Sequence, residues 1–494
     1  MSDVTITLFS DPLSVAAYRN RPVRSRLRYG FSDVDRRYRC LVSIPEPIDG
    51  ADAESAERLA RFDDTGGMPV ESDVTADGVP SSWMACEAIA AGRETGDRGA
   101  AFDLARALAD RGWLRETEID GPADADRSTV RYDAVAEFKR DRLRTAYEQF
   151  DTERADDVEG RAAFETFRER EGAWLDDYTL YRALKTEFDH DPWTEWPREL
   201  RHRDPDALAR YREQLADRRR YHAFVQWQFD EQWRDLRHAA AERDVTLVGD
   251  VPKYVALDSA DIWANQDVFA IEDGHPAVVA GVPPNPGDDG QRWGMPVYDW
   301  DHLAATDYRW WIDRFDRLFD LVDLARLDHF KAFQEYWAIP AAADDPAAGE
   351  WRAGPGADFF ETLRSELGRL PFVVEDLGFL DPGLAALRDQ FGFPSMRVPL
   401  YADWCAERHE HKPRDFPRDA IAYTSTHDTD TVAGYYADLE PETRGCMEYA
   451  IGTDGDRPAW DLLEAVWDSG AVLAMTTVPD LLGLGSEARL NTPG

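Results

Sequence analysis

Mostly apolar side chains between residues 106 and 245 recur near helical spacing. The clearest runs are Phe138, Leu143, Ala146, Tyr147 and Phe150; Tyr178, Tyr181, Leu184, Lys185 and Phe188; and Tyr221, Phe224, Val225, Phe229, Trp233 and Leu236. This spacing places each run along one face of a helix. Breaks between helices are expected at Pro192, Pro197 and Pro205, because proline ends helices. The pattern predicts a helical subdomain over residues 106–245.

Two tryptophans, Trp193 and Trp196, lie in the proline-rich break between these helices. Their rings could stack on a sugar, or they could wedge neighbouring helices together. We favour the packing role, because wide aromatic side chains supply much of the buried area of a core.

From residue 246 onward, short β-type runs alternate with longer amphipathic stretches, which is typical of a parallel sheet with crossover helices. The runs Thr246-Leu-Val-Gly, Leu324-Ala-Arg-Leu, Phe372-Val-Val and Ala420-Ile-Ala-Tyr lead to Asp250, Asp328, Glu375 and His427-Asp428. In a (β/α)8 barrel, the carboxyl ends of the strands converge on the face that holds the active site. We therefore predict an α/β protein, a (β/α)8 TIM barrel with a large helical insertion, whose catalytic portion spans residues 246–494.

Residues 1–105 form an anomalous segment. Residues 11–40 contain eight arginines and three acids, although the whole chain has a formal net charge of −40. A basic arm that binds an anion and a segment of different origin, such as a shifted start, both fit this charge. We favour the second interpretation, because the segment has little periodicity. We expect loop-like backbone over residues 11–60 and a barrel that is incomplete at its N-terminal strands.

Composition narrows the classes of function. With 43% hydrophobic residues in 494, the chain can build a large core, and its 97 acids against 57 bases repel phosphate. Nucleic acid and acidic membrane are therefore excluded as partners. Only five lysines occur, at 139, 185, 253, 331 and 412. An acid-rich, lysine-poor surface suits a salt-rich cytosol, so we predict a halophilic protein.

Cysteine spacing and the chain start bear on the compartment. Cysteines 40, 86, 405 and 446 show no C-x-x-C spacing, which argues against a zinc site and favours reduced thiols. No basic and apolar leader and no run of 18 apolar residues occurs. We predict a cytoplasmic protein.

Carboxylates that converge without cysteine or clustered histidine suit the chemistry of glycosidic bonds. A retaining enzyme places two carboxyl groups about 5–5.5 Å apart, one as nucleophile and one as general acid and base. The acid needs a pKa raised by apolar surroundings and a neighbouring negative charge. Arg326 shares a strand face with Asp328 and could keep it ionised, although a purely structural ion pair is the alternative. Asp376 should face away from this group.

A magnesium site is a further alternative, since acids at strand ends can hold this ion. It requires several oxygens around one point and room for phosphate, and no G-x-x-x-x-G-K-[ST] loop is present. We expect neither a catalytic metal nor a cofactor.

Several long stretches form a distinctive set. They are Gly249-Asp-Val-Pro-Lys-Tyr-Val-Ala-Leu-Asp-Ser-Ala-Asp-Ile-Trp-Ala-Asn265, Arg326-Leu-Asp-His-Phe-Lys-Ala-Phe-Gln-Glu-Tyr-Trp-Ala-Ile-Pro340, Val374-Glu-Asp-Leu-Gly378, Tyr423-Thr-Ser-Thr-His-Asp-Thr-Asp-Thr431 and Gly483-Leu-Gly-Ser-Glu-Ala-Arg-Leu-Asn-Thr-Pro-Gly494. These stretches resemble the 4-α-glucanotransferase (amylomaltase, or disproportionating enzyme) family of the α-amylase clan. The resemblance covers roughly residues 107 to 494.

The resemblance implies a role for each matching residue. Asp328 would be the nucleophile, Glu375 the acid and base, and Asp428 the stabiliser of the transition state. The substrate-binding residues would be Asp250, Trp293, Arg326, His427 and Asn491. The family pattern is altered at Asn285, Met295 and Ser425, the last of which replaces a glycine, and the family's opening strand is not recognisable.

The prediction from the whole sequence is a retaining enzyme that moves α-1,4-glucan segments between maltooligosaccharides. An α-amylase-type hydrolase and a catalytically impaired glucan-binding relative are the alternatives. The oligomeric state does not follow from the sequence.

Overall fold

The structure is a computed structural model that describes residues 5–7, 22–29, 38–45, 132–153, 158–243, 245–285, 289–378, 382–489 and 491. The strands are β1 Thr5–Thr7, β2 Pro22–Tyr29, β3 Tyr38–Pro45, β4 Val248–Val251, β5 Ile271–Glu272, β6 His275–Pro276, β7 Val278–Val282, β8 Gln291–Pro296, β9 Leu324–Leu327, β10 Glu335–Pro340, β11 Glu350–Ala353, β12 Phe372–Val374, β13 Ser395–Arg397, β14 Ala420–Tyr423 and β15 Leu473–Met475.

The helices alternate with these strands over most of the described chain. They are α1 Tyr132–Glu148, α2 Val158–Arg170, α3 Gly172–Glu187, α4 Arg198–Arg201, α5 Pro205–Gln214, α6 Ala216–Ala241, α7 Ala260–Ala264, α8 Trp300–Ala305, α9 Arg309–Leu321, α10 Lys331–Gln334, α11 Gly356–Leu367, α12 Pro382–Phe391, α13 Val432–Asp438, α14 Pro441–Ile451, α15 Pro458–Trp467 and α16 Val478–Leu481. The protein is therefore of mixed helix and strand type, and its described residues do not establish a closed barrel.

The chain divides into two compact units. The first unit comprises Met1–Gln149, Gln232–Val248 and Pro394–Gly494, and the second comprises Phe150–Glu231 and Gly249–Phe393. The domain boundaries predicted from the sequence, at residues 105 and 245, stay a prediction.

The predicted helical region does contain helices, α1 to α6, within residues 132–241. In the second unit, Trp193 and Trp196 are 0% and 2% exposed. The Trp193 indole donates to the Leu257 carbonyl at 2.6 Å, and the ring of Trp196 lies 5.7 Å from that of Trp263. The packing role predicted for both tryptophans is confirmed, because neither ring is open to a sugar.

The first unit contains a four-stranded sheet of order β1-β15-β14-β13, whose neighbours pair in parallel. Its strands β13, β14 and β15 are short and buried along their whole length, as expected for a sheet covered on both faces. The predicted β-run at Ala420–Tyr423 is confirmed as β14.

The N-terminal segment contains regular structure where we expected loop-like backbone. Strands β2 and β3 pair antiparallel from Pro22↔Pro45 to Tyr29↔Tyr38, and β1 joins the parallel sheet beside β15. The expectation of loop-like backbone is therefore wrong for β2 and β3. In β2, Val23, Ser25 and Leu27 alternate with arginines, and a two-residue alternation suits a pleated strand. The rest of residues 11–60, and the packing expected there, lie outside the described residues.

The second unit contains a three-stranded sheet of order β12-β9-β4 and an antiparallel sheet of order β11-β10-β7-β8. Helix α9 buries Trp311, Ile312 and Phe315. The ring of Phe315 lies 4.8 Å from that of Phe372, at the start of β12. This apolar contact holds the helix against the strand, so that the end of β12 has a defined position.

Cys405 and Cys446 form a disulfide with a Cα–Cα distance of 5.1 Å. The expectation that the cysteines are reduced is therefore wrong for this pair. The sequence separation of 41 residues gave no sign of pairing. Folding brings the loop that follows β13 against α14, and this contact places the two thiols within bonding distance.

Across the described ranges, no helix is long and apolar enough to cross a membrane.

Candidate active site

The predicted nucleophile and acid follow directly after two paired strands of the second unit. Strand β9 ends at Leu327 and strand β12 at Val374, and these two residues are partners in a parallel register. Asp328 and Glu375 are the next residues of the two strands, so both lie at the same edge of the sheet. The backbone N–H of Glu375 donates to the Leu327 carbonyl at 3.0 Å, which extends the pairing to this point.

Arg326 joins two of the predicted carboxylates. Its Nη1 donates to Oδ1 and Oδ2 of Asp250 at 2.8 and 2.9 Å and to Oδ1 of Asp328 at 3.0 Å. The guanidinium is buried, with its side chain 7% exposed, whereas the side chains of Asp250 and Asp328 are 35% and 38% exposed, so water screens these contacts in part. The predicted contact between Arg326 and Asp328 is confirmed, and Asp250 enters the same cluster from β4.

Glu375 has the raised pKa that a general acid needs. Burial raises the pKa of its carboxyl to about 7, and the negative charge of Asp328 adds to the rise. Arg326 and two backbone donors oppose it: the N–H of His329 at 2.7 Å from Oε2 and the N–H of Leu377 at 3.2 Å from Oε1. Of the predicted causes, the neighbouring negative charge is confirmed, and burial is the larger contribution to the raised pKa.

An aromatic wall stands beside Asp328. The ring of Trp293 meets the imidazole of His329 edge-on at 4.9 Å and lies 6.0 Å from the ring of Tyr254. Burial lowers the pKa of His329 to about 4, so its imidazole is neutral at pH 7. Trp293 is therefore placed next to the residue that follows Asp328.

Sequence reasoning missed two contributors to this cluster, His329 and Tyr254. His329 has a left-handed backbone with φ of 47°, a conformation that is uncommon for residues other than glycine, and in it the N–H is directed at Glu375. Both residues lie within the quoted family-like stretches. His329 directly follows Asp328, and Tyr254 lies close to Asp250 in the chain. This closeness in sequence was the signal that could have identified them.

Asp376 faces away from the cluster, as predicted. Its carboxylate accepts a hydrogen bond from Nη1 of Arg388 at 2.7 Å, and its side chain is fully buried. Alternation along the extended backbone therefore separates two adjacent acids into one candidate catalytic group and one structural ion pair.

The remaining predicted residues lie together in the first unit, in and near the loop that follows β14. Nε2 of His427 is 3.1 Å from Oδ2 of Asp428. Asn491 donates to Oδ1 of Asp428 at 3.4 Å, and Arg489 donates to the Asp428 carbonyl at 2.9 Å. The structure thus groups the predicted residues as Asp250, Trp293, Arg326, Asp328 and Glu375 in one unit and His427, Asp428 and Asn491 in the other.

The carboxylates of the second unit face a guanidinium instead of the arrangement a metal needs. Among the residues that the structure describes, no group of three or more His, Cys, Asp or Glu side chains could hold a metal ion. The cluster instead places the Glu375 carboxyl beside the Asp328 carboxyl, and a proton donor beside a possible nucleophile is the arrangement that acid-assisted displacement requires.

Comparison with known proteins agrees with this chemistry. The profile of the 4-alpha-glucanotransferase family matches residues 83–494. The 4-alpha-glucanotransferase of Thermus thermophilus is 38% identical over 399 residues, which cover 79% of each chain. The chloroplastic/amyloplastic 4-alpha-glucanotransferase of Oryza sativa is 33% identical over 428 residues, covering 83% of this chain and 71% of that protein.

A solved structure is similar as well. The amylomaltase from Streptococcus agalactiae, determined in complex with acarbose, matches with a TM-score of 0.76 and 28% identity over 80% of both chains. Together with the strand-end carboxylates, these similarities identify a glycosyltransferase-type enzyme, and the chain belongs to the 4-alpha-glucanotransferase family.

Proposed function

We propose that this enzyme moves α-1,4-glucan segments between maltooligosaccharides by a retaining double displacement, on a (β/α)8 barrel. One observation carries the proposal: Glu375, with a pKa near 7, lies one residue beyond the strand pair Val374↔Leu327, next to Asp328. Neighbouring strands are about 4.8 Å apart. Carboxyl groups on adjacent strand ends therefore suit the short separation of retaining enzymes, about 5–5.5 Å.

In the first step, Glu375 donates its proton to the glycosidic oxygen while an oxygen of Asp328 attacks C1. The bond from C1 to the leaving sugar breaks, and a glycosyl ester forms on Asp328. In the second step, the Glu375 carboxylate takes the proton of an acceptor 4-hydroxyl, whose oxygen attacks C1 and releases Asp328. Two inversions at C1 give net retention.

The surrounding residues orient these groups. Arg326 holds Asp328 and Asp250 through one nitrogen, which fixes the attacking oxygen. Trp293 offers a ring face on which an acceptor sugar can pack. By resemblance, we assign Asp428 to stabilising the transition state, and His427 and Asn491, which contact its carboxylate, to binding the glucan.

Incubation of the pure protein with maltotriose in molar KCl tests the activity. A transferase produces glucose and a ladder of longer oligomers without a net gain of reducing ends. A net gain of reducing ends would identify a hydrolase, and unchanged maltotriose would indicate an impaired glucan-binding relative.

The two carboxylates have separate roles that an α-maltosyl fluoride donor can distinguish, because fluoride leaves without protonation. With added azide, Glu375→Ala should give the α-azide, since Asp328 still forms the ester. Asp328→Ala should give the β-azide, since azide then displaces fluoride directly. The exposed residue Glu366 on α11 provides the control Glu366→Gln, which should behave as wild type. The same azide anomer from both alanine variants would refute the assignment.

We also propose a salt-rich cytoplasm as the setting of the reaction. The support is the formal charge of −40 with only five lysines. In dilute buffer, charges of one sign repel across the surface, and molar salt shortens the range of this repulsion to about 3 Å.

A further inference from the structure

The loop between β14 and α13, residues 424–431, carries His427 and Asp428. Strand β14 ends at Tyr423, and the next helix begins at Val432 after its N-cap, Thr431, whose side chain accepts from the Gly434 N–H at 3.1 Å. Most of the loop has no strand or helix to hold it. The Thr424 N–H donates to the Met475 carbonyl at 3.0 Å, and beyond this backbone bond the position of the loop depends largely on side-chain contacts.

One carboxylate, that of Asp480, binds both ends of this loop. Its Oδ2 accepts hydrogen bonds from the hydroxyls of Thr424, at 2.6 Å, and Ser425. Its Oδ1 accepts from the Val432 N–H at 2.7 Å. Asp480 lies on α16, which follows the neighbouring strand β15, so a single side chain ties the start and the end of the loop to the next strand–helix unit.

The hydroxyl groups around Asp480 form a directed network. The hydroxyls of Thr424 and Ser425 give their protons to Asp480, so Thr476 and Thr477 must be the donors in their contacts with these two residues, at 2.9 and 3.0 Å. The Asp480 N–H in turn donates to Thr477 at 3.4 Å. Every hydroxyl in the network therefore has a defined orientation.

Asp480 is 0% exposed. Burial raises the pKa of its carboxyl, and the hydrogen bonds from Ser425, Thr424, Val432 and Thr477 oppose the rise. A carboxylate out of water is costly unless donors surround it. A buried carboxylate adds little net stability to a core. Its presence here is better explained by a need to hold the residues that it binds in fixed positions.

Ser425 adds a donor to this network. The residue is 2% exposed. Asp480 therefore holds the start of the loop with two hydroxyls, those of Thr424 and Ser425.

The middle of the loop is bound by residues that follow Asp480 in the chain. Ser486 donates to Oδ2 of Asp430 at 2.8 Å, and Arg489 donates to the carbonyl of Asp428 at 2.9 Å. These bonds hold the backbone of Asp428 and the side chain of Asp430. The Asp428 carboxylate, which also contacts His427 and Asn491, is thus carried by a backbone that Asp480 anchors at both ends.

We propose that Asp480 is a positioning residue of this enzyme, which holds loop 424–431 at both ends and thereby orients Asp428 for the reaction. The inference rests on the proposed function, in which Asp428 stabilises the transition state. Asp480 itself does not touch the substrate in this role. Its removal should therefore lower kcat through Asp428 and leave KM nearly unchanged.

A double-mutant cycle between Asp480→Asn and Asp428→Asn tests the proposal with maltotriose disproportionation. In the wild-type background, Asp480→Asn should lower kcat about 10- to 100-fold. The new amide N–H group would face the Val432 N–H or a hydroxyl, which are themselves donors to Asp480, and the loop would shift. KM should stay within about threefold. In the Asp428→Asn background, Asp480→Asn should change kcat less than about twofold, since the residue through which it acts is gone.

Two further variants guard against an effect on folding alone. Thr424→Val keeps the shape but removes one donor to Asp480, and it should lower kcat about 3- to 10-fold if Asp480→Asn does not fold. Asp461 also accepts a threonine hydroxyl, from Thr453, in the same unit. Its variant Asp461→Asn should lower the melting temperature without changing kcat.

Equal losses of kcat in both backgrounds, or an unchanged kcat in folded Asp480→Asn or Thr424→Val, would overturn the positioning role. If Asp428→Asn alone retains full kcat, the role of Asp428 in the proposed function fails first, and the positioning role falls with it. If only the positioning role fails, Asp428→Asn still lowers kcat. If the proposed function fails, Asp428→Asn does not lower kcat, so the two failures are distinguishable.

Discussion

Glu375 should make the enzyme less stable as the pH rises, and Glu375→Gln should remove this dependence. Burial and Asp328 raise the folded-state pKa from the ordinary 4.5 to about 7. Below pH 4.5 both states hold the proton. Between 4.5 and 7 the folded state holds a proton that the unfolded state has lost, so the stabilising effect of the proton is lost as the pH rises through the folded pKa.

The size of the effect follows from the pKa difference. About 2.5 units correspond to about 3 kcal/mol, because each unit is worth 1.36 kcal/mol. For a chain of 494 residues that unfolds in one step, unfolding entropy is about 1 kcal/mol per degree, so the expected change is about 3 °C. The change is larger if the second unit unfolds separately.

Thermal melts of both proteins from pH 5 to pH 9, at constant molar KCl, measure this difference. The glutamine amide must face one of the N–H groups of His329 and Leu377, which adds a cost of about 1 kcal/mol at every pH. The pH dependence of the difference in melting temperature is therefore the quantity to compare. The exposed control Glu366→Gln should show none.

A difference between Glu375→Gln and wild type that stays constant from pH 5 to pH 9 would refute the reasoning. It would mean that the Glu375 carboxyl titrates near its ordinary pKa. The residue would then be largely ionised at neutral pH and unsuited to protonate a leaving group.

Asp328→Asn should lower the pKa of Glu375, since it removes a negative charge that raises it; a carboxyl infrared titration that shows the same midpoint would contradict this. Trp293→Ala should raise the acceptor KM about tenfold, the worth of about 1.4 kcal/mol of ring contact, and steady-state kinetics with varied acceptor measures it. Activity and melting temperature should both rise from low to molar KCl, and a flat curve would refute the halophilic interpretation. Reduction of the Cys405–Cys446 disulfide should destabilise the fold by up to about 4 kcal/mol, because the bond closes a loop of about 41 residues; melts with and without reductant test this.

The local pattern of apolar and charged residues was sufficient to predict the strand ends and the candidate catalytic residues of the second unit. Strands β9 and β12 end one residue before Asp328 and Glu375, as the apolar runs indicated. The contact between Arg326 and Asp328 follows from the alternation of side chains along one strand. These features depend on residues close together in the chain, and that is why the sequence alone determined them.

Tertiary structure decided the contacts between distant segments. The register Val374↔Leu327 determines that the two carboxylates share one edge, and the left-handed backbone of His329 directs an N–H at Glu375. The disulfide between Cys405 and Cys446 joins segments about 40 residues apart. The hydrogen bonds of Asp480 to loop 424–431 join segments about 55 residues apart. Residue type and spacing name the groups that can react, but orientation and burial arise only when separate segments pack together, because a hydrogen bond or a shifted pKa depends on distances that the order of residues does not contain.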